Sequence, residues 1–566
     1  MPPIASPPNC SIASSFGSED AVALDSGVST YEPGSRVHFV GIGGVRMSAL
    51  AEMMARRGCT ISGSDREASE FTGRLERAGV TVTIGHAAEN VGDVDAVVFT
   101  PAVDRENPEI AVARQRGIRI VEGKCLLGEM TRGKRLIAVS GTHGKTTTTA
   151  MITQICETAG LDPTAFVGGA VQGDESNLRV GSDDLWVVEA DEYDRAFLEL
   201  TPSVAVVTSL EADHLDLYES EDEIVATFDQ FLSGMTQGGT AVVSGDYACA
   251  RALVVPDGCR RTSFGLDTLV HLTASDIGSE GFSTTFTVKR DGQALGDMTI
   301  RLPGRHNVSN ALGAIGATLS VDVGWGAIRE GLAAFRGVRR RFEVMGEESG
   351  ITVVNDYAHH PTEIEQTLRA ARSIWTGRIV AVFQPHLFTR TRDFAKAFSK
   401  ALSAADVCWL TDIYAARETP IPGITGRTIA NGVEGSHYEA DLVRLTDAVM
   451  GTVESGDMVI VMGAGSIGGV AGELVERLSG RAGVEGTGKK RFLLLGFLLV
   501  LDLLTKRTNS SQSAVETSIR DDLTKPTNLS QLKVIVDLKS RFSTCRKQRL
   551  FWRLKETMND VQEQVV

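Results

Sequence analysis

The chain has 566 residues, of which 42% are hydrophobic and 23% charged, so it is long enough for three or four globular domains. Its formal net charge of −15 argues against a general affinity for nucleic acid or for anionic membranes. The eight cysteines stand singly without a CxxC pair, and the N-terminus lacks a basic stretch followed by an apolar run. These features predict a cytoplasmic protein without a structural zinc site.

A glycine-rich loop near the N-terminus is the first recognisable motif. Residues 1–34 are rich in Ser, Pro, Gly and Ala, which predicts a flexible leader. The apolar strand 37–40 then leads into GIGGVR at 41–46, and Asp65 follows about twenty residues later, nearly as in the dinucleotide-binding fingerprint. Arg46 stands in place of the third glycine, so it must either tilt the following helix outward or place a cation near bound phosphates.

The second motif is SGTHGKTTT at residues 140–148. An apolar run, 136–139, leads into it, and a helix-like run, 149–159, follows it, which predicts a strand, a glycine turn and a helix. Backbone N–H groups at such a turn suit a nucleotide phosphate. Lys145 can reach the outer phosphates, and the Thr146 hydroxyl can bind Mg²⁺. The match to the P-loop pattern is incomplete, because Val139 stands where its first glycine belongs.

Acidic residues follow two further predicted strands. The apolar strand 185–188 ends in Glu189, and the strand 204–207 is followed by EADHLD at 211–216, which contains His214. Because the carboxyl ends of parallel strands meet in the crevice where ligands bind, these groups are expected beside the phosphate loop. Carboxylates and a histidine there predict a magnesium site.

Several polar motifs occupy the rest of the globular part. They are GRHNVSN at 304–310, GVRRRFE at 337–343, NDYAHHPTE at 355–363, FQPHLFTRTR at 383–392 and MGAGS at 462–466. Hydrogen-bonding side chains three and four apart in the first motif would share one helix face. The arginines of the second motif fit either a solvated basic turn or a phosphate clamp. A third series of strand and helix signals follows, with predicted strands at 379–383 and 458–462, and the glycine loop after the second of these strands is a possible anion-binding turn.

The C-terminal stretch 481–566 differs in composition, because it is net positive while the whole chain is net negative. It contains an uninterrupted apolar run at 492–501, about half of the roughly 20 residues that a membrane-spanning helix needs. We therefore expect an appendage with a buried or interfacial helix, and membrane contact is the less favoured alternative.

The order of these motifs resembles the Mur ligase family of peptidoglycan synthesis over residues 35–478. The resemblance implies an α/β fold of three consecutive domains: a Rossmann-like UDP-binding domain (35–133), a central P-loop ATPase-like domain (134–345) and a Rossmann-like C-terminal domain for the amino acid and ATP (346–480). The leader 1–34 and the appendage 481–566 lie outside these domains.

The resemblance also implies a reaction. ATP and Mg²⁺ would convert the carboxylate of UDP-N-acetylmuramic acid to an acyl phosphate, and the amine of L-alanine would attack it to form an amide. UDP-N-acetylmuramate, L-alanine and ATP would be the partners, and nucleic acid would not. The sequence does not predict an oligomeric state.

Each implied role falls on a residue of a matching motif. For catalysis and magnesium, the resemblance implies Lys145, Thr146, Glu189 and His214. For ATP it implies Gly141, Thr142, His143, Gly144, Lys145, Thr146, Thr147, His306, Asn310, Arg341 and Asp356, with His306 and Asn310 at the adenine. For the UDP substrate it implies Gly41, Gly43, Gly44 and Asp65, and for the amino acid Tyr357, His386 and Arg390.

Two positions depart from the family pattern. Arg46 replaces a glycine, which changes the first phosphate loop. Leu387 replaces an arginine implicated in amino-acid binding, so that role does not carry over, and Arg390 becomes the expected carboxylate ligand.

Three alternatives remain open from the sequence. A sister ligase of the family attaches a whole recycled peptide to the same sugar nucleotide, and Glu363 favours the alanine enzyme only modestly. An NAD-dependent dehydrogenase would explain the first glycine loop but not the phosphate loop or EADHLD. A non-catalytic, nucleotide-dependent scaffold would use the basic appendage as a docking arm.

Overall fold

The computed structural model describes residues 32–173, 176–211, 220–267, 269–416 and 418–480. They contain three sheets, one after another along the chain, with helices packed against them. Most of the predicted leader and the whole predicted appendage, including its apolar run, lie outside the described residues.

The first sheet is entirely parallel. Its strands are β1 (Arg36–Val40), β2 (Thr60–Asp65), β3 (Thr81–Ile84), β4 (Ala96–Phe99) and β5 (Arg119–Glu122), and its helices are α1 (Val45–Arg56), α2 (Glu70–Arg77), α3 (Pro108–Gln115) and α4 (Gly123–Thr131). The strand order is β3-β2-β1-β4-β5. This is a doubly wound sheet whose order reverses between β1 and β4, so the loop after β1 borders the crevice where ligands bind in such folds.

The central sheet has ten strands. They are β6 (Arg135–Ser140), β7 (Thr164–Phe166), β8 (Leu178–Arg179), β9 (Leu185–Glu189), β10 (Val204–Val207), β11 (Thr240–Ser244), β12 (Arg260–Phe264), β13 (Leu272–Glu280), β14 (Ser283–Arg290) and β15 (Gln293–Ile300). Its helices are α5 (Lys145–Thr158), α6 (Glu221–Ser233), α7 (Ala248–Ala252), α8 (Arg305–Leu319) and α9 (Trp325–Ala334).

The order of the central strands is β15-β14-β13-β12-β11-β10-β6-β9-β7-β8. Strand β6 therefore lies between β9 and β10 and is parallel to both. The phosphate loop after β6 is flanked by the two strand ends that the sequence predicts to be acidic. The antiparallel meander β13 to β15 was not predicted.

The third sheet has six strands in the order β16-β17-β21-β18-β19-β20, all parallel except β16. Its strands are β16 (Glu343–Glu348), β17 (Ile351–Asp356), β18 (Ile379–Phe383), β19 (Val407–Leu410), β20 (His437–Tyr438) and β21 (Met458–Met462), and its helices are α10 (Pro361–Ile374), α11 (Phe388–Leu402), α12 (Arg427–Ala430) and α13 (Leu442–Thr452). This topology confirms the predicted α/β class, while the domain limits at 133, 345 and 480 remain predictions.

One predicted boundary is wrong. The helix after the phosphate loop begins at Lys145, not at Thr149. The β-branched threonines lower helix propensity, but Thr146 to Thr149 are buried, and the Thr149 hydroxyl donates to the Lys145 carbonyl at 2.8 Å. Packing therefore overrides the local preference, and the first turn of α5 reaches the loop itself.

Candidate active site

The phosphate loop is held in its turn by glycine. Gly141 has a φ of 129° and Gly144 a φ of 82°, a region that glycine adopts without strain. A Cβ atom at Gly144 would lie 2.2 Å from Oδ1 of Asn310 on α8, so a side chain does not fit there. The loop also packs against the end of β10, where the His143 N–H donates to the Ser209 hydroxyl at 2.8 Å. The predicted adenine residue Asn310 thus lies against the phosphate loop.

The Lys145 ammonium is hydrogen-bonded both to this loop and to a nearby acid. Its Nζ donates to the Gly141 carbonyl at 2.7 Å and to Oε1 of Glu192 at 2.8 Å. Burial alone would lower the pKa of Lys145, but the carboxylates of Glu192 and Asp191 outweigh it and raise that pKa above its usual value. A permanently charged ammonium beside phosphate-binding N–H groups suits charge neutralisation on a transferring phosphoryl group.

Glu189 and Thr146 meet at the end of β9. The Thr146 hydroxyl donates to Oε1 of Glu189 at 3.1 Å, and the Gly168 N–H donates to Oε2 at 2.6 Å. Burial raises the pKa of Glu189, so a cation that neutralises this carboxylate would be stabilised there. A hydroxyl and a carboxylate are oxygen ligands of the kind that Mg²⁺ takes. The predicted third ligand, His214, lies outside the described residues.

His143 joins the phosphate loop to the third sheet. Its Nδ1 lies 3.2 Å from Oε1 of Glu363 at the start of α10, and its Nε2 lies 3.5 Å from Oε2 of Glu211. The Thr362 hydroxyl donates to that same Glu211 oxygen at 3.0 Å. Burial lowers the pKa of His143, but its hydrogen bonds to the two glutamates raise it to about 9. His143 is therefore an imidazolium at neutral pH.

Sequence reasoning missed this connection, because His143 and Glu363 are separated by 220 positions. His143, Glu211 and His360 also bring one possible metal-ligating atom each within 4.8 Å of one another. A protonated imidazole has no lone pair for a metal, so the raised pKa of His143 favours an ion-paired cluster.

Three further predicted ATP residues, Arg341, His306 and Asp356, lie within electrostatic range of Glu363. Nη1 of Arg341 lies 3.8 Å from Oε1 of Glu363. Burial, with a further contribution from Arg341, lowers the pKa of His306 to about 4. Asp356, at the end of β17, accepts from the N–H groups of Phe342 at 2.8 Å and Ala358 at 2.7 Å, and burial raises its pKa to about 6. The first turn of α5 contributes the buried Thr147.

Thr142 completes the loop. Its N–H donates to the Ser209 carbonyl at 3.1 Å, and its hydroxyl accepts from the Glu211 N–H at 3.0 Å. These bonds fix the loop to the strand end that carries Glu211.

The predicted amino-acid residues lie on the third sheet. The ring of His386 stacks on Tyr414 at a centroid distance of 5.8 Å and meets the edge of His359 at 5.7 Å. Since Nδ1 of His359 lies 3.2 Å from Oε2 of Glu363, His386 is connected to the His143 cluster. Arg390, on α11, is buried.

Tyr357 and Leu387 complete this region. The guanidinium groups of Arg340 and Arg341 lie 4.8 and 5.0 Å from the Tyr357 ring centroid. Leu387 has a φ of 69° and is only 5% exposed. The residue that replaces the family arginine is therefore packed inward, and its apolar side chain has no donor for a carboxylate.

The first glycine loop is hydrogen-bonded to the acid that follows it in the motif. The Gly43 N–H donates to Oδ2 of Asp65 at 2.7 Å, and the Gly41 N–H donates to the Ser64 carbonyl at 2.8 Å. Gly44 precedes the first residue of α1. Nη2 of Arg46 contacts Oδ2 of Asp191 at 3.1 Å, beyond the end of β9, and the two alternatives for Arg46 stay predictions.

Among the helices of the described residues, none is both long and apolar enough to cross a membrane.

Three family models match successive parts of the chain. They are the Mur ligase family catalytic domain over residues 36–135, the Mur ligase middle domain over 139–318, and the Mur ligase glutamate ligase domain over 340–465.

Individual relatives match over nearly their whole length. The UDP-N-acetylmuramate–L-alanine ligases of Geotalea uraniireducens and Salinibacter ruber are each 44% identical to this chain. Each alignment covers 79% of this chain, and the two cover 98% and 96% of the respective relative. Among solved structures, the UDP-N-acetylmuramate–alanine ligase MurC of Thermotoga maritima is 30% identical with a TM-score of 0.69, covering 79% of this chain and 99% of that chain. A murein peptide ligase of Psychrobacter arcticus is 25% identical with a TM-score of 0.59, with the same coverage.

Proposed function

Because the chain belongs to the Mur ligase family, we propose that it is the ATP-dependent ligase that joins L-alanine to UDP-N-acetylmuramic acid in peptidoglycan precursor synthesis. The observation that carries the proposal is the 44% identity to alanine ligases whose length it covers almost completely. The charged phosphate loop between two acidic strand ends supplies the chemistry that such a ligase needs.

The reaction has two steps. An oxygen of the lactyl carboxylate attacks the γ-phosphorus of ATP, and ADP leaves with the electrons of the broken P–O bond. The amine nitrogen of L-alanine then attacks the acyl carbon, phosphate leaves, and the amine loses a proton to the surroundings. A carboxylate is a poor electrophile, so the phosphoryl group supplies the leaving group that the amide bond requires. Both steps depend on charge neutralisation and alignment more than on covalent help from the protein.

Lys145 is assigned to the transferring phosphoryl group, which its ammonium neutralises. Thr146 and Glu189, with His214, would hold Mg²⁺, which when bound offsets the negative charge of the ATP phosphates. The loop from Gly141 to Thr147 is assigned to the phosphates, with the N–H groups of Gly144 to Thr147 as donors, because those of Thr142 and His143 already donate to Ser209.

The other roles follow the placement of each side chain. His306 and Asn310 are assigned to the adenine, and Arg341 and Asp356 to further ATP contacts. The lowered pKa of His306 keeps its imidazole neutral, which suits hydrogen bonding to an uncharged base. Gly41, Gly43, Gly44 and Asp65 are assigned to the UDP end of the sugar nucleotide, where the start of a helix suits a diphosphate.

Tyr357, His386 and Arg390 are assigned to the incoming L-alanine. Because Leu387 packs inward, Arg390 is the guanidinium that this motif offers to the carboxylate. A bidentate arginine–carboxylate pair would also orient the amine toward the acyl phosphate.

The peptide ligase is the runner-up, since a murein peptide ligase shares the fold at 25% identity. The higher identity and TM-score of the alanine ligases favour the amino acid as acceptor. The substrates ATP and UDP-N-acetylmuramate support a cytoplasmic location.

A phosphate-release assay tests the proposal. The full chain is incubated with ATP, Mg²⁺ and UDP-N-acetylmuramate, and L-alanine, glycine, L-serine or the recycled tripeptide is added separately. We expect acceptor-dependent release with the highest kcat/KM for L-alanine. A preference for the tripeptide would identify the sister ligase, and nicotinamide-dependent absorbance changes without phosphate release would indicate a dehydrogenase.

A further inference from the structure

Arg46 is placed where a cation is electrostatically unfavourable within its own helix. It lies in the first turn of α1, which has no acidic residue. The N-terminus of a helix carries a partial positive charge, so an arginine there is repelled unless an anion lies nearby. The anion in this structure comes from a different sheet: Oδ2 of Asp191 contacts Nη2 of Arg46 at 3.1 Å. The pair thus joins the first glycine loop to the central domain.

Asp191 belongs to the carboxylates that surround Lys145. It lies between Glu189, which contacts Thr146, and Glu192, which contacts Lys145. Arg46 therefore contacts an acid that stands between two carboxylates of the phosphoryl-transfer site.

A second connection fixes the same end of α1. The side-chain amide of Asn177 donates to the Val45 carbonyl at 3.2 Å and to the Val167 carbonyl at 3.2 Å. From α2, Nη2 of Arg74 donates to Oδ1 of Asn177 at 3.1 Å. The residue next to Arg46 is thus hydrogen-bonded to the central domain, so the Arg46 contact is one part of a built interface.

We propose that Arg46 is a positioning residue for ligation. Through Asp191, it holds the UDP-binding glycine loop at a fixed distance from Lys145 and Glu189, so that the substrate carboxylate meets the phosphoryl donor. The inference rests on the proposed ligase function, and it explains how this chain uses an arginine where its family usually has glycine. If Arg46 instead bound the diphosphate of the sugar nucleotide directly, its replacement would raise KM for that substrate and leave kcat unchanged.

The test compares Arg46→Gln, Asp191→Asn and the double variant by steady-state kinetics with ATP, UDP-N-acetylmuramate and L-alanine. A positioning role lowers kcat about tenfold in Arg46→Gln, because misplacement of the reactants acts on the chemical step. In Arg46→Gln, KM for the sugar nucleotide stays within about threefold of the wild-type value. The kcat of the double variant is no lower than that of Arg46→Gln. Arg46→Lys recovers part of kcat.

Arg57→Ala is the matched control. Arg57, just after α1, also pairs with an acid of the central domain, Asp183, and lies 5.1 Å from the Trp186 ring centroid. This contact is remote from the glycine loop, so kcat should stay within about twofold. A KM for the sugar nucleotide that rises about tenfold in Arg46→Gln with unchanged kcat would overturn the positioning role in favour of direct binding. Additive effects of the two substitutions would also overturn it.

A measurement without turnover separates this inference from the ligase function. The same double-mutant cycle on the thermal unfolding midpoint tests whether Arg46 and Asp191 interact, whatever reaction the protein catalyses. Non-additive midpoints support the interaction, and additive midpoints contradict it. Failure of the wild-type chain to release phosphate, together with a non-additive cycle, would refute the ligase function and the positioning of its substrates, while leaving the ion pair in place.

Discussion

Lys145 concentrates positive charge where the phosphoryl group is transferred. Its ammonium contacts the loop carbonyl of Gly141 and the carboxylate of Glu192, and its pKa is raised, so it stays charged throughout the neutral range. We expect Lys145→Ala to lower kcat about a thousandfold or more, because a positioned cation at a transferring phosphoryl group contributes several kcal/mol. Phosphate release measures this loss.

Lys134→Ala is the control, since Lys134 pairs with the surface acid Asp183 outside the loop. It should leave kcat nearly unchanged. Activity of Lys145→Ala within tenfold of wild type would exclude the assigned role.

A second prediction for a single residue concerns Arg390 and the binding of L-alanine. The buried guanidinium lies on α11, and the neighbouring Leu387 packs inward with a φ of 69°. If Arg390 alone holds the alanine carboxylate, then Arg390→Ala removes a charge-assisted pair of about 1.5–3 kcal/mol. We expect KM for L-alanine to rise about ten- to a hundredfold, with the constants for ATP and the sugar nucleotide nearly unchanged.

Arg392→Ala is a matched control on the same helix, because Arg392 is exposed and pairs with its neighbour Asp393. Its KM for L-alanine should equal that of the wild type. An unchanged alanine constant in Arg390→Ala, with the fold intact, would remove Arg390 from the acceptor site.

At the scale of elements, the start of α10 is tied to the phosphate loop through Glu363 and His143. The pKa of His143 is raised to about 9, above the value of about 6.5 expected in the unfolded chain. Its contribution to stability is therefore complete below about pH 6.5 and is lost as the pH rises through about 9. We expect the wild-type unfolding midpoint to fall over this window.

Glu363→Gln should lower that midpoint near neutral pH and weaken its pH dependence, because the imidazolium loses a carboxylate partner. Calorimetry at several pH values measures both effects. Glu365→Gln, on the same helix, is the control, since Glu365 makes an exposed pair with Arg369. Equal pH dependence in wild type and Glu363→Gln would contradict the assignment of the raised pKa to this pair.

Local patterns predicted many elements well. The strands Val204–Val207, Ile379–Phe383 and Met458–Met462 have the predicted bounds, because each is a short apolar run bordered by polar residues. The phosphate loop and its acidic neighbours were predictable because the end of a parallel strand places its next residues in the crevice. The start of α5 was not, because four β-branched threonines obscure a helix that tertiary packing stabilises.

Long-range contacts were beyond sequence reasoning. The pairing of His143 with Glu363 and of Arg46 with Asp191 depends on how the three sheets pack, and no local period encodes it. The inward packing of Leu387 was equally hidden, since a left-handed backbone at leucine is uncommon. These contacts join predicted motifs that belong to different sheets.

At the scale of the whole molecule, the chain extends beyond its match to a relative. The alignment with the Geotalea uraniireducens relative covers 98% of that protein but only 79% of this chain. We therefore expect a chain cut after Gly480 to keep kcat within about threefold, since the three family models all end before that residue. Kinetics of the purified truncation measure this.

A cut after Gly465 is the comparison. It removes the helix over residues 468–480, whose Leu474 and Leu478 are buried in the third domain, and should abolish folding of that domain. A folded but inactive chain ending at Gly480 would contradict the expected independence of the appendage.

Transfer of oxygen from substrate to phosphate shows whether ligation proceeds through an acyl phosphate. UDP-N-acetylmuramate labelled with ¹⁸O in its lactyl carboxylate is incubated with ATP, Mg²⁺, L-alanine and the full chain, and both products are examined by mass spectrometry. We predict that the sugar nucleotide gains an alanyl residue and that each phosphate released carries a single ¹⁸O atom from the carboxylate. Alanyl product with unlabelled phosphate would contradict the acyl-phosphate route, and the absence of alanyl product would contradict the ligase itself.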